Sequence, residues 1–436
     1  MKRGWKLCIT TDTPLVAKKG YTMDISSALE PVLCHGAPEE VGAAYGALNA
    51  ESIHEHLNAF LDTCEEKGLD RAAIMEKSAR GMEIIREKAP YWELEQRAVA
   101  EAVGIAPAMY SAFAIGKYRG LFFGPECTSY AAAGSWVPCD GATFHKSRDN
   151  KRRSQCCFVR KIVDDTHKPY GWCGTSDTSD TTTMMFVNER GLAGASDQGG
   201  RLEDFKGDGL MNTFGLRYFA ETCSTCADVQ EALRQWHERG YYAGGAIRTH
   251  WLFADAQGHI LRVVHENKRI EFQPAHDNIV LNREREGLRE LLQENRGQLD
   301  ASELTAASRL DSVSLDSTIS ALSVDLQPEA PEWLTCAWLS LGRPTQAPYI
   351  PIFVASNHVP RALIDGTMYR LALDAPISTK RLVEMEADWH ERVKDCQADI
   401  RQKIDDDECG EIPKITEAMT AECVQEALEL MAGDSQ

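Results

Sequence analysis

The apolar pattern changes period near Gly124-Pro125, and that switch limits what the chain can fold into. Before it, apolar residues recur at helical spacing. Val41, Leu48, Ile53, Leu57 and Leu61 follow Pro38 and stop at Gly68. Asp70 can cap a second helix carrying Ile74, Met75, Met82, Ile84 and Ile85, which Pro90 ends. A third runs through Leu94, Ala98 and Val103 to Gly104, and residues 107–117 suit a fourth. After the switch, residues 127–137 are short, small and partly β-branched. Asp140-Gly141 is a hairpin signal, with residues 142–149 as the return strand.

Further strands are expected over 158–163, 251–254, 259–265 and 279–282. A second hairpin is expected from 181–187 to 192–196 around Asn188-Glu189-Arg190-Gly191, where Asn188 reads as a turn residue. Residues 209–240 read as helical, and Leu288, Leu291 and Leu292 mark another helix. The polar, Ser-rich stretch 294–332 reads as a surface excursion. Residues 338–354 alternate Pro with apolar and aromatic side chains. From Thr379 the chain is helical, with residues 405–408 an acidic, solvent-facing run. Strands in hairpins with long helices between them predict an α+β fold of antiparallel sheets with helices packed outside.

Charge narrows the function. Lys and Arg number 47 against 66 Asp and Glu, a net charge of −19. Such a surface repels phosphate backbones, and Lys151-Arg152-Arg153 is too short a patch to reverse that, so no nucleic-acid partner is expected. No run of about 18 apolar residues is present, so no membrane span is expected. Lys2, Arg3 and Lys6 are followed by polar Thr10 to Thr13 rather than an apolar segment, so no signal peptide is expected. The 14 Cys are then read as reduced thiols in a cytoplasmic protein. Cys223 and Cys226 form a lone CxxC without a second pair, and His54 and His56 read as an exposed helix face. Neither metal nor organic cofactor is expected.

Cys127 opens the strand-rich part directly after a Gly-Pro-Glu break. A thiol is a strong nucleophile once a base or a lowered pKa activates it. Were the bond before Cys127 cut, its own α-amine would supply that base, titrating near 7.7–8.0. The Asp140-Gly141 hairpin folds Lys146-Ser147-Arg148-Asp149-Asn150 back beside it. A carboxylate there would orient an amine, and a cation would favour a thiolate and an oxyanion.

Cys127-Thr128-Ser129-Tyr130, Asp140-Gly141 and 146–150 together resemble the cysteine-type N-terminal-nucleophile (Ntn) hydrolases. The match is nearest to the acyl-coenzyme A:6-aminopenicillanic acid acyltransferase family, relatives of choloylglycine hydrolase and acid ceramidase. Residues 35–46, 91–106, 188–192 and 253–258 resemble further family segments, so the likeness spans roughly 30–355. It implies a four-layer αββα sandwich with an N-terminal helical prelude. Residues 1–126 would be a pro-segment or small subunit, and 127–436 the catalytic core with C-terminal helices. It also implies autocatalytic cleavage before Cys127, and cleavage or transfer of a linear amide through an acyl-enzyme. By the same resemblance Cys127 is the nucleophile, Asp149 organises its amine, and Asn282 is the oxyanion donor. Lys146 stands where the family has Arg, with Arg148 the alternative cation. Arg285, with Arg283 close behind, matches a downstream family arginine. From their place after the second hairpin strand, Ser196, Asp197 and Gln198 are expected to line the substrate pocket; His250, before a strand, is expected either there or as a core or edge histidine.

The sequence departs from the pattern at three places. Glu126 stands where Gly often precedes the cysteine, Leu281 replaces Thr before Asn282, and Arg283 replaces a His. The more basic rim suits either an anionic substrate or pairing with the acidic surface. The expected partner is a small-molecule amide or acyl donor, and homo-oligomerisation is left open. Two other readings stay open: a cysteine hydrolase working as an uncleaved chain, and an inactive member kept as a binding protein.

Overall fold

Proline and side-chain caps fix the first helices. Pro38, Pro90 and Pro107 each occupy the first turn of a helix, Pro38–Leu48, Pro90–Ala102 and Pro107–Gly116. Pro90 therefore starts a helix as well as stopping the one before it. Asp70 accepts a hydrogen bond from Ala73 N at 2.8 Å and caps Arg71–Lys88. The first apolar stripe is carried by two helices, Pro38–Leu48 and Ala50–Glu66, broken at Asn49. Gly42 and Gly46 let Pro38–Leu48 lie directly on Pro90–Ala102. A Cβ at Gly42 would sit 2.5 Å from Glu95 O, and one at Gly46 would sit 2.9 Å from Val99 O.

The computed structural model describes residues 24–117, 127–201, 208–242, 247–266 and 268–433. Lys2, Arg3, Lys6 and the break ending in Glu126 lie outside them. In chain order the strands are β1 (Pro31–Leu33), β2 (His35–Gly36), β3 (Thr128–Ala133), β4 (Ala142–Asp149), β5 (Gln155–Ile162), β6 (Trp172–Asp177), β7 (Met185–Asn188), β8 (Leu192–Arg201), β9 (Ile247–Asp255), β10 (Ile260–Glu266), β11 (Arg269–Pro274), β12 (Ile279–Leu281), β13 (Thr318–Leu326), β14 (Cys336–Ser340), β15 (Tyr349–Phe353) and β16 (His358–Pro360). One sheet runs β11-β10-β9-β8-β7-β6-β5-β2, a second runs β12-β3-β4-β13-β14-β15, and β1 pairs with β16. Pairing is antiparallel except between β2 and β5.

The two large sheets pack face to face, with β3 and β4 against β9 and with β13 and β14 against β6. Helices Asn212–Thr222 and Cys226–Glu238 cover the first sheet. Ala301–Ala307, Thr379–Asp405 and Ile412–Gly433 cover the second. The order of layers is helix, sheet, sheet, helix, the α+β sandwich expected from the sequence.

Three expectations need correction. The stretch 294–332 is not a surface excursion. It holds the helix Ala301–Ala307 and the strand β13, which pairs with β4 and β14 inside the sheet. Its serines misled the reading, because Ser320 and Ser323 are fully buried and bonded to Gln155 and His145. The helix expected over 209–240 breaks at Cys223, and Thr225 caps the second half. Thr181 to Thr183 form no strand, because Arg217 Nη1 takes Thr181 O at 2.6 Å and β7 starts only at Met185.

Four buried charges tie the helical prelude to the sheet. Glu95 accepts from Arg160 Nε of β5 at 3.1 Å and pairs with Arg217. Arg217 Nε donates to Glu221 at 2.8 Å. Glu221 also accepts from Tyr91 Oη at 2.7 Å, Trp92 Nε1 at 2.6 Å and Trp172 Nε1 at 3.1 Å. Removing one partner of such a cluster strands the others' charge in a dry interior. Arg217→Met should therefore cost about 3–5 kcal/mol, read as a lowered midpoint in urea unfolding. A loss under about 1 kcal/mol would mean the network is dispensable.

Candidate active site around Cys127

The β3–β4 register sets the site. Ser129 pairs with Lys146 and Thr128 with Ser147, so Cys127 sits at the strand end beside Arg148 and Asp149. Opposed residues in an antiparallel pair share a face. Cys127, Ser129, Lys146 and Arg148 thus look into the space between the sheets. Cys127 is only 8% exposed, and its Sγ lies 3.8 Å from Asp149 O. Burial pushes its thiol pKa up, while the nearby Lys146 ammonium pulls it back.

Lys146 Nζ donates to Ser196 O at 2.9 Å and forms a buried ion pair with Asp197. Burial disfavours its charge most strongly, but Asp197, Cys127 and Asp149 together outweigh that and keep the ammonium's pKa above the ordinary value. Ser129 Oγ donates to the other Asp197 oxygen at 2.7 Å. Asn282 follows β12 and continues its pairing, its N donating to Ser129 O at 2.9 Å. Its side-chain Nδ2 donates to Ser129 Oγ at 3.0 Å and more weakly to His250 O at 3.4 Å. Its Oδ1 is buried and accepts no hydrogen bond.

Asp149 is buried at the end of β4. Its Oδ1 accepts from Thr318 Oγ1 at 2.5 Å, while its Oδ2 accepts no hydrogen bond, though Arg285 Nη2 lies 3.8 Å away. Burial raises its pKa to about 6 against the pull of Thr318, Lys146 and Arg285. Arg285 Nε donates to Thr128 Oγ1 at 2.9 Å. Arg283 Nε donates to Cys127 O at 3.3 Å and its Nη2 to Gln198 O at 3.0 Å.

The structure thus brings together Cys127, Lys146, Asp149, Asp197, Asn282, Arg283 and Arg285. Arg148 is held elsewhere: its Nη1 bonds Gln155 and Asp177, both at 2.8 Å, toward β5 and β6. Ser196 offers its carbonyl to Lys146, but its hydroxyl accepts from Asn212 at 2.7 Å on the outer face. Gln198 contributes its carbonyl. His250 lies beside Asp197 across the β8–β9 pair, its ring against Gly199. Ser129 reads from sequence only as a hydroxyl beside the thiol, and Thr318 is not indicated by the sequence at all. Ser129 was legible from its alternation with Cys127, whereas Thr318 lay in the stretch read as a surface excursion.

Elsewhere, His56 is not the exposed residue expected, because its Nδ1 lies 2.6 Å from Ser179 Oγ. Cys223 and Cys226 stand at the break between two helices, where Cys226 N donates to Asp255 at 2.9 Å. Asn188 takes its expected turn role: its Oδ1 accepts from Arg190 N at 3.1 Å and Leu192 N at 3.0 Å. Among the described residues no group of three or more His, Cys, Asp or Glu is placed to hold a metal. Among them no single helix is long and apolar enough to cross a membrane.

No protein-family model and no curated protein matches the chain. Among solved structures, it is similar to penicillin V acylase from Agrobacterium tumefaciens, at 15% identity over 52% of this chain and 86% of that one, TM-score 0.39. A Caenorhabditis elegans ortholog of N-acylethanolamine-hydrolyzing acid amidase matches at 10% identity over 47% and 93%, TM-score 0.35. A variant of conjugated bile acid hydrolase from Clostridium perfringens matches at 12% identity over 49% and 89%, TM-score 0.36.

The raised Asp149 pKa has a stability consequence. The folded protein binds this proton more tightly than the unfolded chain, so the stability it adds is full below the ordinary 3.8 and is lost as pH rises through about 6. Asp149→Asn removes that loss. The variant's melting temperature, relative to wild type, should rise between about pH 4 and pH 6. A difference that stays flat across that window would place the titration elsewhere.

Proposed function

We propose that the protein is a self-processing Ntn amidohydrolase or acyltransferase with Cys127 as nucleophile. The observation that carries this is the pairing of a buried thiol at a strand start with Asp149, whose Oδ2 is buried and accepts no hydrogen bond. A buried carboxylate oxygen calls for a donor, and the α-ammonium of a freed Cys127 is a donor of matching charge.

In the proposed processing step the Cys127 thiol adds to the carbonyl of Glu126. The peptide C–N bond breaks as the C–S bond forms, giving a thioester and freeing the α-amine. Water then hydrolyses the thioester to a Glu126 carboxylate and restores the thiol. Residues 1–126 stay attached as a small subunit, consistent with the buried charges joining Glu95 to Arg160 and Arg217.

In turnover the α-amine takes the thiol proton while Sγ adds to the substrate amide carbon. Lys146 supplies the fixed positive field that favours thiolate, and Asp197 keeps that lysine charged and in place. Asn282 Nδ2, now bonded to Ser129 Oγ, supports the developing oxyanion. Collapse passes the proton to the leaving amine and leaves an acyl thioester, which water or an acceptor amine releases. Asp149 holds the α-amine, and Arg285 supports Asp149 from 3.8 Å. The substrate is a small molecule with a linear amide, and the 13 cysteines among the described residues are all free, which fits a cytoplasmic setting.

Intact-mass analysis tests processing. Wild type should resolve into two fragments split between Glu126 and Cys127, and Cys127→Ala should remain one chain. Amide hydrolysis by a wild-type preparation that is still a single 436-residue chain would overturn this and favour the uncleaved cysteine hydrolase. A single chain with no such activity would favour the binding-protein reading.

Asn282 separates a catalytic role from a structural one. Asn282→Ala should lower kcat by about 10²–10³-fold, the cost of one oxyanion donor. The melting temperature should stay near that of wild type. Loss of the fold instead would make the amide structural.

A further inference from the structure

The inner face of β9 and β10 carries a row of cationic side chains beside Cys127. Asp197 pairs with His250, His250 with Val264, and Leu252 with Arg262. Opposed residues share a face and alternate residues return to it. Arg248, His250 and Arg262 therefore face the same side as Asp197, toward the sheet that holds the nucleophile. β10 packs on β3 and β12 across that space. Arg283, after β12, donates to the Cys127 carbonyl at 3.3 Å, and its charge is also felt by His250.

Among the described residues, the carboxylates near this row are already paired. Asp197 pairs with Lys146, Glu266 with Arg248 at 2.5 Å, and Glu271 with Arg269. Among the described residues Arg262 forms no ion pair; it shares only the more distant field of Glu271, which is itself paired with Arg269, and its Nε is buried without a hydrogen bond. An unpaired guanidinium donor in a half-buried position is costly unless something accepts from it. His250 reports the same excess of positive charge. Burial lowers its pKa first, and Arg262, Arg248 and Arg283 add to that against Asp197. In a chain of net charge −19, a concentration of arginines at this one place calls for an anionic ligand.

We propose that Arg262, with His250 and Arg283, forms an anion subsite of the Cys127 site, so that the substrate is an amide carrying a carboxylate or like anion. This rests on the proposed function. Arg262 lies two strands across and two residues along from Asp197, about 12 Å at the usual strand spacings. The anion is therefore remote from the scissile carbonyl, reached by a flexible chain rather than an adjacent substituent. It engages the guanidinium through charge-assisted hydrogen bonds.

The test uses the purified protein with Cys127 capped as its methyl disulfide, and ligands that contain no amide, so binding is read without turnover. Isothermal titration calorimetry compares two series with their methyl esters. One places the anion on the acyl arm (dicarboxylates from glutarate to azelate, against their half-esters). The other places it on the amine arm (ω-aminoalkanoates, against their methyl esters). In at least one series the acid should bind about tenfold tighter or more than its ester, the scale of one charged hydrogen bond. The series that shows it identifies the arm. Arg262→Met should abolish the preference and Arg262→Lys should keep part of it. Equal binding of acid and ester in both series, no binding of either acid, or a full preference retained by Arg262→Met would overturn the subsite. Failure of the proposed function would instead appear as absent cleavage and absent amide hydrolysis, which these titrations do not read.

Discussion

The buried cluster of Glu95, Arg160, Arg217 and Glu221 is the constraint on which the architecture depends. Two carboxylates and two guanidinium groups leave water together, with three aromatic donors completing the shell of Glu221. Charges in a dry interior demand near-complete pairing. That demand fixes the angle of the helix Pro90–Ala102 against β5 and the helix Asn212–Thr222. Gly42 and Gly46 then bring Pro38–Leu48 close against Pro90–Ala102. The prelude is a layer of the fold, sharing one continuous apolar core with the strands that follow.

The space between the sheets uses the same logic on a smaller scale. Lys146 and Asp197 pair, Ser129 links Asp197 to Asn282, and Thr318 and Arg285 attend Asp149. Each of these polar groups is held by at least one other. Within this site, Asp149 Oδ2 and Asn282 Oδ1 are buried and accept no hydrogen bond. A site built this way is rigid before any ligand arrives, which suits chemistry that depends on fixed dipoles.

Much of this was legible in the sequence where local rules dominate. Asp140-Gly141 marked where β4 begins, but β3 ends at Ala133 and a connection with a 3-10 turn at Gly134–Trp136 intervenes, so the register that brings Lys146 and Asp149 to Cys127 was not the one a tight Asp-Gly turn would set. Prolines and Asp70 marked helix ends. What the sequence hid were tertiary preferences. Serine-rich Thr318–Leu326 looked polar, yet its hydroxyls satisfy Gln155 and His145 inside the sheet. Arg148 and Lys146 were indistinguishable by spacing, because both face inward. Only the position of Asp177 on β6, a strand not anticipated, draws Arg148 away. Arg262 carried no signal at all, since one arginine in an alternating strand reads as solvent-facing until the opposite sheet is in view.

The placement of β13 has a temporal consequence. Thr318 reaches Asp149 across 169 positions of chain, by insertion of β13 between β4 and β14. Contacts so far apart in sequence form late, because closing the intervening loop costs entropy before pairing returns it. A nascent or half-folded chain thus holds Cys127 and its hairpin without a properly held Asp149. In the proposed mechanism, the thiol is not armed until the C-terminal half has docked, so completion of the fold acts as the clock that starts the chemistry.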